Sequence, residues 1–452
     1  EPITFEDIMN IINFEKPDGV LVQFGGQTPL KIAEQLTNEG VKIFGTSSAS
    51  IDLAENREAF ASIIKKLKIQ IPEYCIAKNY EEIINFSEIA QFPVLVRPSY
   101  VLGGRAMQIV YNKEQLVDYV FRSAEATNDH PILIDQFIEN AFEFDVDALS
   151  DGEEVFVAGI MQHIEEAGVH SGDSSCVLPP YDMSSKVKKD IIDMTTKLAL
   201  ELNVIGLINL QFAVKDNEVY VLEVNPRSSR TVPFVSKYSN VPLANIAAQL
   251  SVGRKISDFN LNENRFKHTA VKKAVLPFKK FKDEKVFLGP EMKSTGEVMG
   301  IDTEPGIAFL KAMQSDGYTV PRSGTAFVSI TDVDKKRALP IIKDLQKLNF
   351  TIIATKGTAE FLLENNINCS PVFKVGEGRP NVVDEILNDN IHLVINTPQG
   401  AQSRYDEEAI GKTSVMKNVL TITTLAGAKA AIEAMSNMNK IRVAPLQEYF
   451  KQ

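Results

Sequence analysis

Residues able to hold a metal ion and a phosphate group are concentrated between Val204 and Arg230 of this 452-residue sequence. Two β-rich runs, Asn209 to Val214 and Val219 to Val224, are separated by Lys215-Asp216-Asn217, which supplies turn residues. This arrangement predicts a β-hairpin. Its strands would bring polar side chains from both runs to one place.

In a hairpin with a three-residue loop, Gln211 and Glu223 lie roughly opposite each other and point to the same face. Asn225 is two residues further along and shares that face. Their oxygens are hard ligands of the kind Mg²⁺ takes when water and the phosphates of a bound nucleotide fill its other positions. Arg227 and Arg230 follow, and their guanidinium groups could stabilise a phosphoryl group during transfer. The hairpin therefore predicts a metal–nucleotide site.

The alternative is structural, since a buried Glu223 could simply pair with one of the nearby arginines. However, five polar side chains occur here on a strand, turn and strand that is otherwise apolar. Burying so much polarity is costly unless a ligand satisfies it. The metal–nucleotide interpretation is therefore favoured.

Composition restricts the possible classes of protein. A hydrophobic content of 44% in 452 residues supports two or three cored domains. The net charge of −11 and the lack of a basic run argue against nucleic acid. Cys75, Cys176 and Cys369 are far apart, which fits a reducing compartment, the cytoplasm. There is no membrane-length apolar run and no signal peptide. Because the sequence starts without Met and directly in a helix, we expect a fragment or cleavage product.

The segments before the hairpin alternate between helix and strand. Residues 1–50 follow the order helix, strand, helix, strand, which predicts part of a parallel sheet. The loop QFGGQTPL at 23–30 falls at the carboxyl end of a strand, where ligands bind in such sheets. Its glycines could let the backbone approach a ligand, or they could simply form a turn.

The segment FPVLVRPSYVLGGRA at 92–106 predicts a strand carrying Arg97, followed by a glycine-rich loop. Gly103 and Gly104 in that loop could fold over nucleotide phosphates through backbone N–H groups, while Arg97 reaches the same anion. A hairpin tip would have the same composition. Both interpretations stay open from these residues alone.

Two later segments hold further candidates. Asp135 at the end of one strand and Glu143 on the next could bind the base and ribose of a nucleotide, although lone acidic residues are usually solvated. Residues 161–180 lack a regular pattern but are rich in Gly, Ser, His and Asp, which predicts a substrate loop. Its His163 and His170 could equally be structural residues.

The C-terminal region has a different order of predicted secondary-structure elements. Residues 253–317 are rich in lysine and in loop residues. From Thr325, strands at 325–330, 350–354, 371–375 and 391–396 alternate with helices at 333–348, 357–366, 381–388, 405–414 and 424–436. This alternation predicts a doubly wound domain. Its loops at 355–359 and 396–400 suit a phosphate or carboxylate, although ordinary turns look the same.

Several motifs together resemble one family. FPVLVRPSYVLGGRA and VLEVNPRS resemble the signature motifs of carbamoyl-phosphate synthase within the ATP-grasp superfamily. GIMQHIEEAGVHSGDSSC, RTVPFVSK and LGPEMKSTGEVMG are similar to further landmarks of its large chain. The resemblance spans essentially the whole sequence and implies an α/β chain of three parts. These are a partial pre-ATP-grasp domain at 1–50, a two-lobed ATP-grasp domain with its connector at 51–317, and an allosteric methylglyoxal-synthase-like domain at 318–452.

The resemblance also implies an activity, ATP-dependent phosphorylation of carbamate to carbamoyl phosphate, with Mg²⁺ or Mn²⁺ and K⁺ as cofactors. The glutamine-hydrolysing family serves pyrimidine and arginine synthesis. The implied partners are a glutamine amidotransferase small chain, the N-terminal half of the large chain, a nucleotide or sugar-phosphate effector, and further copies in an oligomer. The half that phosphorylates bicarbonate is absent from this sequence. We therefore expect the carbamate half-reaction alone.

The resemblance also implies residue roles, carried over position by position. They are metal binding for Gln211, Glu223 and Asn225; phosphoryl stabilisation for Arg227 and Arg230; contact with nucleotide phosphates for Arg57 and Arg97; ribose binding for Glu143; a place beside the substrate for His170; K⁺ binding for Glu143, His163 and Ser174; and effector binding for Lys335, Thr355, Thr358, Lys374 and Asn396.

Three positions depart from the family pattern. Lys273 stands where the ornithine site of enterobacterial enzymes has an acid, and Thr421 stands where that site has a tyrosine. Pro398 replaces a threonine of the nucleotide-effector site. These changes argue against activation by ornithine and leave the effector's identity open.

Two alternatives remain to be weighed. Another ATP-grasp ligase, such as a biotin carboxylase or an amino-acid ligase, would share the Glu-x-Asn motif. It should lack the C-terminal βα module and the GPEMKSTGEVMG stretch, and both are present. A purely regulatory protein derived from the fold should have lost a metal ligand or an arginine, and neither is lost.

Overall fold

The computed structural model describes residues 1–77, 80–98, 106–124, 131–181, 183–261, 266–279, 288–397 and 401–451. Its chain forms two compact units. The first comprises Glu1–Glu73, Ile138–Gln162 and Leu178–Phe266, and the second comprises Tyr74–Phe137, His163–Val177 and Lys267–Gln452. The domain boundaries predicted from the sequence stay predictions.

The α-helices are α1 Phe5–Glu15, α2 Gln27–Leu30, α3 Ala33–Asn38, α4 Ser48–Glu55, α5 Arg57–Leu67, α6 Tyr80–Ile89, α7 Lys113–Ala124, α8 Ser185–Glu201, α9 Val232–Ser239, α10 Leu243–Ser251, α11 Pro305–Ser315, α12 Lys335–Lys347, α13 Lys356–Glu364, α14 Val382–Leu387, α15 Ala401–Lys417 and α16 Leu425–Ser436. Short 3₁₀ helices occupy Ile256–Asp258, Pro277–Lys279, Met438–Lys440 and Leu446–Phe450.

The strands are β1 Val20–Leu21, β2 Ile43–Phe44, β3 Tyr74–Ala77, β4 Val94–Pro98, β5 Gln108–Val110, β6 Ile132–Gln136, β7 Phe142–Asp151, β8 Val155–His163, β9 Cys176–Leu178, β10 Ile205–Lys215, β11 Glu218–Asn225, β12 Thr269–Val275, β13 Gly296–Asp302, β14 Gly324–Ser329, β15 Phe350–Thr355, β16 Ser370–Val372, β17 Leu393–Asn396 and β18 Leu420–Ile422.

The first unit is built around antiparallel strands in the order β11-β10-β7-β8. One face of this sheet is apolar and packs against α8, whose Val187, Ile191 and Leu198 are buried in the same core as Phe144 and Phe212. These residues are spaced so that one face of α8 is turned to the core. The opposite face carries the polar side chains of Asp145, Asp147 and Asn209 as well as the buried apolar residues Leu149 and Leu207.

The predicted hairpin is β10 and β11, but its turn is shorter than expected. Lys215 pairs with Glu218, so the loop has two residues, Asp216 and Asn217, both with positive φ. Asp and Asn tolerate this left-handed conformation, and a two-residue turn of this kind matches the natural twist of the strands. A β-bulge after Gln211 then shifts the register by one residue.

The N-terminal part of the first unit is a small parallel pair, β1 and β2, whose helices bury Leu30, Ala33 and Ile51. The parallel pairing predicted from residues 1–50 is confirmed. The second of the two helices expected in residues 1–50 consists instead of two short helices, α2 and α3.

In the second unit, residues 74–137 form an antiparallel sheet in the order β3-β6-β4-β5, with α6 and α7 packed on it. Residues 324–422 form a parallel sheet in the order β16-β15-β14-β17-β18. Apolar cores lie on both faces of the parallel sheet: Val328 belongs to one and Phe327 to the other. The predicted doubly wound domain is confirmed, with β18 as an additional strand.

Two stretches contain more regular structure than the sequence predicted. Residues 253–317 hold β12, β13 and α11 in addition to loops. Six of the eleven residues of α11 from Ile307 to Met313 are buried apolar residues, so this helix lacks the amphipathic period that identifies surface helices. Residues 161–180 include the fully buried strand β9.

No helix in the described ranges combines the length and the apolarity needed to cross a bilayer. The cytoplasmic location stays a prediction.

Candidate active site

Three neighbouring strands of the first unit present polar residues in register. Gln211 on β10 pairs with Glu223 on β11 and with Asp145 on β7. The predicted opposition of Gln211 and Glu223 is confirmed, because the bulge compensates for the shorter turn. Glu223 is exposed, so the argument from its burial was wrong; the buried carboxylate in this row belongs to Asp145.

A second row of paired polar residues lies two residues away along the same three strands. Asn209 pairs with both Asn225 and Asp147. The Asp147 carboxylate is fully buried and accepts hydrogen bonds from Asn209 Nδ2 at 3.0 Å, Ser229 Oγ at 2.7 Å and Thr231 Oγ1 at 2.5 Å. Burial raises the pKa of Asp147 to about 6, against the lowering effect of these three donors. Asp147 thus fixes the segment that follows Asn225.

Arg227 is held by three hydrogen bonds in the turn after β11. Its Nε donates to Gln27 Oε1 at 2.9 Å, its Nη2 to Asn225 Oδ1 at 2.9 Å and its Nη1 to Ser228 O at 3.0 Å. Burial lowers the pKa of Arg227, and the negative charge of Glu223 is the largest effect that opposes the lowering. The result is a fixed cation beside the candidate metal ligands.

The loop at 23–30 supports this turn. The carbonyl oxygen of Gln23 accepts from Ser228 N at 3.0 Å and from Ser228 Oγ at 2.9 Å. Its buried side chain donates to Pro226 O at 2.8 Å and to Thr46 Oγ1 at 2.9 Å. The sequence identified the position of this loop, but it did not show that Gln23 and Gln27 would hold the Pro226–Ser228 backbone and Arg227.

Three other candidate residues belong to the first unit. Glu143 is half-buried on β7, on the same side of the strand as Asp145 and Asp147, and Arg230 is exposed. Arg57 is half-buried and is the first residue of α5. The structure therefore brings Gln211, Glu223, Asn225 and Arg227 together through strand pairing and hydrogen bonds.

In the second unit, Arg97 and Asp135 lie on the paired strands β4 and β6. Arg97 Nη2 is 3.4 Å from the Oδ2 of the buried Asp135. A guanidinium group that pairs with one carboxylate through a single nitrogen has further N–H donors that can bind an anion. Gly103 and Gly104 lie outside the described residues.

His170 lies in a loop that is well ordered by hydrogen bonds. Its backbone N–H donates to Gly289 O at 2.8 Å, and its Nδ1 accepts from Gly172 N at 3.0 Å. Because Nδ1 is an acceptor, the proton of the neutral ring sits on Nε2.

Two further candidates flank this loop. His163 is buried at the end of β8, and Ser174 is fully buried. Within the described part of the chain, Ser174 Oγ has no hydrogen-bond partner. Buried hydroxyls without a partner are uncommon, and a bound cation or water would satisfy this one.

The effector candidates follow the carboxyl ends of the parallel strands. Thr355 Oγ1 donates to Thr358 Oγ1 at 3.2 Å, and Thr358 Oγ1 accepts from Ile330 N at 3.1 Å. Lys335 Nζ donates to Gly357 O at 2.9 Å. The structure therefore brings Lys335, Thr355 and Thr358 together.

Asn396 and Lys374 belong to the neighbouring loops. Asn396 is buried at the end of β17, which pairs with β14. Lys374 is exposed after β16 and lowers the pKa of Asp406, which burial raises. Pro398 lies outside the described residues.

Similar solved structures are biotin carboxylases, so the chain shares the fold of that class of protein. One is the biotin carboxylase domain of Hydrogenobacter thermophilus 2-oxoglutarate carboxylase in complex with MgADP, ADP and bicarbonate, with a TM-score of 0.53 and 17% identity over 61% of this chain and 62% of that chain. Another is the Campylobacter jejuni biotin carboxylase in a β-γ-ATP complex, with a TM-score of 0.55 and 13% identity over 68% of this chain and 78% of that one. At such identities the likeness shows the fold alone.

Sequence comparison identifies the family. Three family models match: the carbamoyl phosphate synthase preATP-grasp domain at residues 1–53, the carbamoyl-phosphate synthase L chain ATP binding domain at 56–259, and the MGS-like domain at 337–423. The carbamoyl phosphate synthase large chain of Archaeoglobus fulgidus is 52% identical over 100% of this chain and 42% of its own length. The C-terminal section of the Aquifex aeolicus large chain is 49% identical over 98% of this chain and 86% of its own length.

The chain therefore belongs to the carbamoyl-phosphate synthase large chain family. It spans about two fifths of the length of the Archaeoglobus fulgidus chain and of the Methanobrevibacter smithii chain, which is 50% identical over 99% of this chain and 43% of its own length. Family membership decides against the alternative of an unrelated ATP-grasp ligase.

Proposed function

We propose that this chain phosphorylates carbamate to carbamoyl phosphate with ATP, as the C-terminal half of a carbamoyl-phosphate synthase large chain. The observation that carries the proposal is the pairing of Gln211 with Glu223 beside the fixed guanidinium of Arg227. This juxtaposition combines oxygen ligands for a metal with a cation for a phosphoryl group. Phosphoryl transfer depends mainly on such positioning and charge stabilisation.

Mg²⁺ or Mn²⁺ would be held by Gln211, Glu223 and Asn225, whose side-chain oxygens come from two adjacent strands. The set fits because amide and carboxylate oxygens are the ligands these ions prefer. When bound, the ion would neutralise charge on the nucleotide phosphates. Asn225 Oδ1 already accepts one hydrogen bond from Arg227, and its second lone pair remains for a metal.

Arg227 and Arg230 would stabilise negative charge on the phosphoryl group as it moves from ATP to the carbamate oxygen. Because Gln27, Asn225 and Ser228 fix the Arg227 guanidinium before any ligand binds, little reorganisation is needed during the reaction. Asp147 contributes indirectly by holding the backbone between the two arginines.

Nucleotide binding would use the candidate residues identified from the sequence. Arg57, Arg97 and the backbone at Gly103 and Gly104 would contact its phosphates, and Asp135 and Glu143 would contact its base and ribose. His170 would lie beside the substrate. The K⁺ site would comprise Glu143, His163 and Ser174, a proposal that the buried, unpartnered hydroxyl of Ser174 supports within the described residues.

The proposal includes a regulatory ligand and partner proteins of the whole enzyme. A nucleotide or sugar-phosphate effector would bind Lys335, Thr355, Thr358, Lys374 and Asn396. The N-terminal half of the large chain would supply carbamate, a glutamine amidotransferase small chain would supply ammonia, and the assembly would be oligomeric. The product would serve pyrimidine and arginine synthesis in the cytoplasm.

The test is ATP formation from ADP and carbamoyl phosphate in a coupled assay with Mg²⁺ and K⁺. We expect formation that depends on both ions, because the motifs of the carbamate-phosphorylating unit lie in this chain. Circular dichroism and thermal unfolding verify that the protein is folded. If folded protein forms no ATP, either alone or after addition of the N-terminal half and the small chain, the proposal is wrong.

A further inference from the structure

Two glutamines near the N-terminus contact three consecutive residues, Pro226, Arg227 and Ser228, here called the Arg227 turn. Gln23 Nε2 donates to Pro226 O at 2.8 Å, and Gln23 O accepts from Ser228 N at 3.0 Å. Between these two contacts, the Arg227 side chain donates from Nε to Gln27 Oε1 at 2.9 Å. The turn is therefore held on both sides of Arg227 and at the guanidinium itself.

The carboxamide of Gln23 also connects to the strand that carries Gln211. Gln23 Nε2 donates to the hydroxyl of Thr46 at 2.9 Å. That hydroxyl accepts from Ile205 N at 2.9 Å and donates to Ile205 O at 3.2 Å, so its hydrogen and both lone pairs are used. Ile205 is the first residue of β10. Gln23 and Thr46 thus join the start of β10 to the Arg227 turn.

The surroundings of the Gln23 side chain leave it little room to move. Gln23 and Thr46 are both buried, and a Cβ atom added to Gly45 would clash with Gln23 Oε1. A Cβ atom added to Gly206 would lie 3.0 Å from the same oxygen, and both glycines have positive φ. A buried carboxamide that is enclosed in this way and uses both of its N–H donors is held in one orientation.

Strand pairing alone does not fix the Arg227 turn relative to the candidate metal ligands. The pairing of β10 with β11 sets Gln211 opposite Glu223, but its last pair is Asn209 with Asn225. Arg227 lies beyond that pair, so its position depends on contacts from outside the hairpin. Such positions matter for rate, because a shift of about 1 Å can cost on the order of 10²-fold.

We propose that Gln23 is a positioning residue for phosphoryl transfer: its hydrogen bonds to Pro226, Ser228 and Thr46 hold the Arg227 turn in a fixed place relative to β10. The inference rests on the proposed function, in which Arg227 stabilises the transferred phosphoryl group. It adds that the small parallel pair of strands takes part in this placement. Gln23 follows β1 and Thr46 follows β2.

The test begins with Gln23→Met, which keeps the length of the side chain but removes both N–H donors. Gln249→Met is the matched control in the same unit. The carboxamide of Gln249 is also hydrogen-bonded, but to Asn245 and Arg254, and makes no described contact with the Arg227 turn or with Thr46. A second pair of variants, Thr46→Val and Thr46→Ser, removes or keeps the linking hydroxyl.

The measurements are kcat and KM for ADP and carbamoyl phosphate in ATP formation, with the N-terminal half and the small chain present. We expect Gln23→Met and Thr46→Val to lower kcat about tenfold and to change both KM values less than twofold, because the phosphoryl group interacts with Arg227 most strongly in the transition state. Thr46→Ser and Gln249→Met should stay close to the wild type.

A double variant tests whether Gln23 acts through the arginine. In an Arg227→Ala background, Gln23→Met should lower kcat less than twofold further, because the group that it positions is already absent. Amide hydrogen exchange gives a readout that does not need activity. Gln23→Met should speed exchange at Ser228 and Thr46→Val at Ile205, each about tenfold, while Gln249→Met leaves both amides unchanged.

The proposal is overturned if Gln23→Met keeps wild-type kcat, or if it lowers kcat by the same factor with and without Arg227. If Gln23→Met does not fold, the Thr46 pair decides: equal kcat in the valine and serine variants refutes the proposal. If the wild-type enzyme forms no ATP, the proposed function fails on its own. Exchange then decides the positioning role, since faster exchange at Ser228 supports it and unchanged exchange refutes it.

Discussion

At the scale of single residues, the site separates the groups that could bind ligands from the groups that hold them. Glu223 is exposed, whereas Asp147 and Gln23 are buried and hydrogen-bonded within the protein. A buried polar group needs partners within the protein, and a ligand-binding group needs capacity left over. We therefore expect substitutions in the two groups to have different effects.

The first prediction concerns Glu223. Glu223→Gln keeps the shape but removes the negative charge facing the proposed metal, so phosphoryl transfer should fall on the order of 10²-fold or more. Nucleotide affinity should change much less, because the interaction strengthens toward the transition state. Steady-state ATP formation and nucleotide titration measure the two effects.

The matched control for this prediction is Glu218→Gln. Glu218 lies on the same strand β11, is exposed, and pairs with Lys215 at the turn end of the hairpin. The same chemical change at that distance should leave turnover unaltered. Near wild-type turnover in Glu223→Gln would mean that Glu223 has no catalytic function.

The second prediction uses the raised pKa of Asp147, about 6 in the folded protein. The folded state binds this proton more tightly than the unfolded chain, whose Asp pKa is about 3.9. At low pH the Asp147 carboxyl is protonated in both states and does not reduce stability. As pH rises to about 6, burying the ionised carboxylate progressively lowers the free energy of unfolding. Relative to Asp147→Asn, the wild type should lose at most about 3 kcal/mol of unfolding free energy between pH 4 and 7.

Urea unfolding of both proteins at several pH values measures this difference. Asp151→Asn is the control, because Asp151 lies on the same strand and its pKa is lowered: burial raises it, but backbone N–H groups of Glu154, Ile256 and Glu153 outweigh burial. Its contribution to stability should be lost as pH falls, the opposite sign. A wild-type to Asp147→Asn difference that does not vary with pH would contradict the prediction.

The sequence identified the site residues whose relative positions are determined by their spacing along one hairpin. Gln211, Glu223 and Asn225 lie on one hairpin, and the two-residue period of strands predicts their common face. Gln23, Gln27 and Asp147 could not be identified in this way. Their partners around the turn after β11 and on β10 lie 62 to 205 residues away, and only the fold brings them together.

At the scale of elements, two features of the hairpin that the sequence did not predict, a shorter turn and a β-bulge, offset each other. The sequence predicted a three-residue turn and the structure has two residues, yet Gln211 still opposes Glu223 because a bulge adds one residue to β11. A bulge leaves no clear signal in a single sequence. The buried α11 was missed for a related reason, since a helix surrounded by apolar neighbours has no polar face to reveal its period.

The third prediction tests the turn. Asp216 has φ of +52°, a conformation that disfavours β-branched residues. Asp216→Val should lower the free energy of unfolding by about 1–2 kcal/mol, and Asp216→Gly should be close to neutral. Chemical unfolding of the two variants provides the comparison. Equal stability of the valine and glycine variants would show that the turn does not adopt this conformation.

At the scale of the whole molecule, the second unit contains a lysine where the family pattern has an acid. Lys273 Nζ is 3.4 Å from Asp316 Oδ2 and 5.2 Å from the centre of the Tyr318 ring. Burial raises the pKa of Glu165, and the charge of Lys273 is the largest effect that opposes this. The lysine ammonium thus already neutralises the carboxylates that a ligand ammonium would need.

The last prediction follows from this arrangement and from the effector loops. Ornithine carries ammonium groups, and placing one near Lys273 costs a few kcal/mol at an effective dielectric near 20, enough to reduce affinity roughly a hundredfold. A phosphate group could instead bind at Lys335, Thr355 and Thr358, where a cation and two hydroxyls lie together and the phosphate would compete with Asp332, whose Oδ1 is 2.7 Å from Lys335 Nζ. We therefore expect UMP or phosphoribosyl pyrophosphate to bind and ornithine to bind weakly or not at all.

Calorimetric titration of the chain with these three compounds distinguishes the outcomes. Lys335→Ala should abolish the response to the phosphate compounds if they bind at the carboxyl edge of the parallel sheet. Lys343→Ala is its control, because Lys343 is exposed on the same helix α12, two turns beyond Lys335. Tight ornithine binding, with no response to either phosphate compound, would show that the positive charge of Lys273 does not control the choice of effector.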